Sequence, residues 1–157
     1  MEIFEILENQ LYQSGAPEDA ADWQPIHERG IDVIVGSLRD VGSRRADNPK
    51  LDPLHLLAHR RYRQIAGHDD HGRLVDLAVR FMRDGHRVLV HCHKGKSRSG
   101  LFNALVAMKV LHIDGAAAVD FVRQRRPGAL GNQVFAGYLE QLPASSRRPT
   151  TVTTSHC

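Results

Sequence analysis

The clearest chemistry in this chain lies between Val88 and Gly100, in the stretch VLVHCHKGKSRSG, where Cys92 and Arg98 frame a short polar loop. Val88, Leu89 and Val90 lead into His91 and Cys92, Gly95 sits at the centre of the loop, and Arg98 and Ser99 open a new apolar run. A buried strand, a tight loop and a helix N-terminus in that order make a cradle of backbone N–H groups with the positive end of the helix dipole turned inward. Such a cradle binds an anion. A cysteine at its rim has a lowered thiol pKa, because the amides and a nearby guanidinium favour the thiolate. Arg98 has a second use, since its planar fork can hold two oxygens of a phosphoryl group. His93, Lys94, Gly95, Lys96 and Ser97 form the rest of the candidate anion site.

Two other readings of these letters fail on spacing. Gly95-Lys96-Ser97 matches the tail of a nucleotide phosphate loop, but that motif needs a glycine where Val90 stands. His91, Cys92 and His93 suggest zinc, yet adjacent strand residues point to opposite faces, and no second pair of ligands follows at finger-like spacing. No metal and no cofactor are expected. An inert buried thiol beside a surface charge is the plain alternative, and it gives no reason for glycine, arginine and serine to follow in register.

HCHKGKSRSG resembles the HC-x5-R-S/T signature of the cysteine-based protein tyrosine phosphatases, most of all their small dual-specificity branch. His91, Cys92, Gly95, Arg98 and Ser99 all stand where that signature has them. Rhodanese-type and arsenate-reductase-type loops also set Cys before Arg at this distance, but the second kind carries its loop near the N-terminus. The resemblance implies a phosphatase acting through a cysteinyl-phosphate: Cys92 attacks, Arg98 and the loop amides hold the oxygens, Ser99 eases departure of the thiolate, and His91 orients the loop from behind. It also implies a general acid four residues after the Ile of a Y-x-x-I strand. Tyr62 and Ile65 supply that pattern, so the acid is Asp69, with Asp70 as the alternative. The chemistry needs a carboxylic acid over the cradle, because the departing alkoxide or phenoxide must be protonated as the P–O bond breaks. Asp69 stands closer to Cys92 in sequence than is usual in that family. Asn132 and Phe135 resemble the N-x-x-F of the family's closing helix, which implies that Asn132 braces the phosphate loop.

The same resemblance implies an α/β fold of three layers, a mostly parallel four- to five-stranded sheet with helices on both faces. The substrates it implies are phosphotyrosine and phosphoserine or phosphothreonine of proteins. Lys96 sits where tensin-like lipid phosphatases also carry a lysine, and with His93 and Lys94 it keeps a phosphoinositide or another polyanion as a second reading. An RNA 5′-triphosphate is a third. A non-catalytic pseudophosphatase would lack the Cys, the Arg or the acid.

The elements that must position these groups alternate along the chain. Residues 3–13 suit one or two short strands and 14–17 a turn. Residues 18–29 carry helical spacing with Trp23 and Ile26 inward, Pro25 splitting the helix and Gly30 ending it. Ile31 to Val35 has the apolar density of a buried strand. Residues 39–50 read as an exposed loop with Arg44 and Arg45. A short helix from Asp52 carries His55 and His59 on one face, without a third ligand, and a strand follows at 62–66. Arg73 to Asp84 is the clearest amphipathic helix, with Leu74, Leu77, Ala78, Phe81 and Met82 at helical spacing and Gly85 as its cap. Ser99 to His112 is apolar nearly all round, hence a central buried helix. Asp114 caps the next, through Arg126, and a closing helix places Phe135, Tyr138 and Leu139 in the core.

At 157 residues, 41% hydrophobic and 25% charged, the chain suits one soluble domain with a continuous core. The expected division is a phosphatase domain over 1–143 and a disordered tail over 144–157. The formal net charge of +3 favours anionic substrates without calling for nucleic acid. No apolar run approaches a membrane span of about 18 residues, and the N-terminus lacks the basic start of a signal peptide. Two cysteines make no disulfide framework, so a reducing, cytoplasmic setting is expected. A monomer is expected, partnered by phosphorylated proteins or other phosphate monoesters.

Overall fold

The computed structural model describes residues 1–36 and 71–144. Its sheet is built around one strand, β4 (Val88–Cys92), in which every residue is buried. Three consecutive apolar residues, each gaining about 1.5–3 kcal/mol from full burial, suit a strand covered on both sides. Parallel neighbours flank β4: β2 (Leu11–Gly15) on one side and β3 (Val33–Gly36) on the other. Strand β1 (Ile3–Leu7) pairs antiparallel with β2 at the edge, giving the order β1-β2-β4-β3. Asn9 takes a left-handed turn conformation between β1 and β2, its N–H donating to Glu5 Oε1 at 2.7 Å. The expected N-terminal strands are thus a hairpin, and this antiparallel edge joins an otherwise parallel sheet.

The strand period of two sorts side chains into two cores. Leu11, Val33, Val35, Val88 and Val90 face the larger one, which receives α2 (His71–Arg83), α3 (Arg98–Leu111), α4 (Gly115–Arg125) and α5 (Gln133–Glu140). Tyr12, Ile34 and Leu89 face the smaller one, closed by Ile26 and Trp23 of α1 (Trp23–Glu28) and by Ile31. Helices therefore cover both faces, as the three-layer expectation requires. Asp19 caps a short 3-10 turn before α1 by accepting from the N–H groups of Ala21 and Asp22. Pro25 lies in the first turn of α1, where its missing N–H has no intrahelical partner to lose, and so it does not split the helix.

Two further details differ from expectation. In α2 the fully buried stripe is Val75, Ala78, Val79 and Met82, while Leu74, Leu77 and Phe81 lie at its margin, so the helix is rotated by about one residue. In α5, Ala136 and Leu139 are buried but Tyr138 is 54% exposed, outside the core assigned to it. Asp32 ties the starts of β3 and β4 together, accepting from the Arg87 N–H at 3.0 Å and pairing with His86 Nδ1 at 2.6 Å. Among the described residues no helix is long and apolar enough to cross a membrane. The strand at 62–66, the helix from Asp52, Arg44, Arg45, His55, His59 and the tail from residue 145 lie outside the described residues.

Candidate active site

Strand β4 ends at Cys92 and α3 begins at Arg98, and the five residues between them turn the chain through the loop the sequence anticipates. Gly95 makes that turn possible. Its φ is +60, and a Cβ there would fall 2.3–2.4 Å from backbone atoms of Ser14 and Gly15, so no other residue fits. Its N–H closes the turn on the Cys92 carbonyl at 3.1 Å.

The loop carbonyls are held from outside. His93 O accepts from the Ala16 N–H at 3.4 Å, and Lys96 O from the Leu130 N–H at 3.2 Å. Gly95 O accepts from Gln13 Nε2 at 3.1 Å and from Arg126 Nε at 3.2 Å. In a trans peptide the N–H points opposite to the C=O, so carbonyls drawn outward leave amides aimed inward. Of these, the Lys96 N–H, on the same peptide as Gly95 O, reaches the sulfur. Burial alone raises the thiol pKa of Cys92, but the Ser99 hydroxyl, 3.3 Å from Sγ, and the main-chain N–H groups of Ser99, Lys96 and Gly95 outweigh it and hold the thiol below its ordinary value. The N-terminus of α3 adds the positive end of its dipole.

The Ser99 hydroxyl and the main-chain N–H groups of Gly95, Lys96 and Ser99 thus meet at the Cys92 sulfur. Arg98 is the first residue of α3 and is exposed, as are His93, Lys94 and Lys96, while Ser97 is half-buried at the N-cap position without a side-chain cap. His91 is buried, with its ring against Gly36, where a Cβ would stand 2.5 Å from Nε2. Asn132 departs from expectation. It is exposed, and its Oδ1 accepts from the Val134 N–H at 2.9 Å, capping α5. An Asx residue placed just before a helix satisfies the free N–H groups there more readily than it reaches a distant loop. From this part of the chain Leu130 and Arg126 brace the loop instead. Arg126 also lies over the Phe4 ring, its Cζ 4.1 Å from the centroid. Asp69 and Asp70 lie outside the described residues. Among the described residues no cluster of three or more His, Cys, Asp or Glu side chains could hold a metal.

With the anion cradle and its depressed thiol in place, similarity to known proteins becomes decisive. Residues 29–144 match the family described as dual specificity phosphatase, catalytic domain. The chain belongs to the dual-specificity phosphatase family. It is 30% identical over 105 residues to dual specificity protein phosphatase 1 of Homo sapiens and 29% identical over 106 residues to dual specificity protein phosphatase 1-A of Xenopus laevis. Each alignment covers 62% of this chain and 29% of the relative, so the chain spans under a third of the length of these curated relatives. Among solved structures, the Cydia pomonella PTP-2 phosphatase superposes with a TM-score of 0.63 at 18% identity, covering 88% of each chain. Human DUSP28 gives 0.60 at 20% identity over 88% of this chain and 90% of its own. The fold is the one those solved phosphatases share.

Proposed function

We propose that this dual-specificity phosphatase family member hydrolyses phosphotyrosine and phosphoserine or phosphothreonine of proteins through a cysteinyl-phosphate. The observation that carries the reading is the Cys92 thiol, held below its ordinary pKa by the Ser99 hydroxyl and the main-chain N–H groups of Gly95, Lys96 and Ser99. The Cys92 thiolate forms a bond to phosphorus as the P–O bond to the leaving group breaks, while Arg98 and the inward amides hold the equatorial oxygens. Asp69, or Asp70 in its place, gives its proton to the departing oxygen. Water then attacks the phospho-cysteine, the ionised carboxylate takes the water's proton, and Ser99 donates to the sulfur as it leaves. No metal enters this scheme. Residues 1–143 form the phosphatase domain, acting as a monomer, and the free thiolate suits a reducing compartment such as the cytoplasm.

A second reading is favoured by the exposed His93, Lys94 and Lys96, whose charge would suit a substrate with further anionic groups, such as an inositol phospholipid. Initial rates on phosphotyrosyl peptide, phosphothreonyl peptide, inositol phospholipid and nucleotide separate the two. Turnover of the peptides, lost in Cys92→Ser, is expected. Preference for the lipid would move the assignment to the second reading, and no turnover of any would leave a phosphate-binding pseudophosphatase.

A further inference from the structure

Gln13 and Asn103 are both completely buried, one on β2 and the other on α3. Asn103 Nδ2 donates to Gln13 Oε1 at 2.9 Å, and Gln13 Nε2 donates to Gly95 O at 3.1 Å. Two amides therefore form one chain of hydrogen bonds running from the central helix, through the sheet, to the back of the loop that cradles Cys92.

We infer that Gln13 and Asn103 are a pair of positioning residues that aim the Lys96 amide at the Cys92 sulfur. Gly95 C=O and Lys96 N–H belong to the same planar peptide and point in opposite directions. Pulling the carbonyl back with Gln13 Nε2 therefore turns the Lys96 N–H forward, and that N–H is one of the groups favouring the thiolate. Asn103 fixes the carboxamide of Gln13 so that its NH₂, and not its oxygen, meets the carbonyl. Arg126 also donates to Gly95 O but lies half-buried, where solvent competes, whereas Gln13 and Asn103 are fully buried.

The pair is a poor device for stability alone. Asn103 Oδ1 is buried with no hydrogen-bond partner among the described residues, and two apolar side chains of similar shape would fill the same space without that orphan acceptor. A structural role predicts that replacing the pair weakens the fold. A positioning role predicts that the fold survives and the sulfur responds.

The assignment of the sulfur as nucleophile rests on the proposed function, so the test reads the thiol separately from turnover. Gln13→Leu with Asn103→Leu is compared with Gln13→Leu alone and with the unaltered chain. For the double variant the melting temperature is expected to be unchanged or raised. The pH midpoint of Cys92 alkylation by iodoacetamide should rise by about half to one pH unit, as loss of one neutral hydrogen bond predicts. Turnover of a phosphotyrosyl peptide should fall about tenfold in kcat/KM. Gln13→Leu alone, which strands Asn103, should melt lower than the double variant. A folded double variant with an unshifted alkylation midpoint overturns the inference, and so does a double variant that fails to fold, since the pair would then be structural. Absence of turnover in the unaltered chain sinks the proposed function but leaves the alkylation test of the pair standing.

Discussion

At the scale of single residues, the balance of forces on Cys92 fixes how the site should respond to pH. Burial opposes ionisation, the Ser99 hydroxyl and three amides favour it, and the second set wins. Alkylation of Cys92 should therefore have its midpoint below that of an ordinary free thiol, and Ser99→Ala should move it upward by about half to one pH unit. The same imbalance links protonation to folding. Because the folded thiol has the lower pKa, the unfolded chain binds the proton more tightly between the two values. Stability should rise with pH across that window and fall away as pH drops through the depressed value, and Cys92→Ser should flatten the dependence in urea titrations at several pH values. That Gly95 and Ser99 lie beside Cys92 was legible from their spacing. What holds the loop from behind was not. Gln13 shares the inward parity of Leu11, and Asn103 interrupts a helix that is otherwise almost wholly apolar, so a signal existed in both. A lone polar residue gives no hint of its partner when the two lie 90 residues apart.

At the scale of elements, three glycines make opposite demands. Gly95→Ala combines a positive φ with overlap against β2, and should lower stability by about 2–4 kcal/mol while abolishing turnover. Gly115→Ala would put a Cβ 1.6 Å from the Leu139 carbonyl oxygen, where α4 crosses α5, and should destabilise by about 1–3 kcal/mol. Gly137 in α5 has nothing within 4 Å of its Cβ position, so Gly137→Ala should raise stability by about 0.5–1 kcal/mol. Chemical denaturation of the three variants checks the order. Element types were readable from periodicity, but rotation of each helix was less so. The apolar stripe of α2 is wider than the face it buries, so Leu74 and Val75 compete for the inward position and only contact with the sheet decides for Val75. Tyr138 falls at core spacing in α5, yet that helix is eight residues long and covers the core with Ala136, Leu139 and, at its margin, Phe135.

At the scale of the whole molecule, the functional loop lies at the C-terminal end of a parallel strand, where open α/β sheets characteristically place their ligands. Around it His93, Lys94, Lys96 and Arg98 are exposed. For an anionic substrate, kcat/KM should fall roughly threefold to tenfold between about 0.05 and 0.5 M salt, and Lys94→Glu should weaken that dependence in rate measurements at both salt levels. The antiparallel hairpin at the sheet edge looks peripheral, yet Gln13, Phe4 and Ala16 all reach the loop or the arginine that braces it. That arrangement bears on how the catalytic unit can be delimited. A fragment trimmed to residues 29–144, the span shared with the family, would retain Cys92 and Arg98 while shedding the β1–β2 hairpin that holds their loop taut. Truncation at that boundary should yield a chain with an intact signature and a slack, inactive centre.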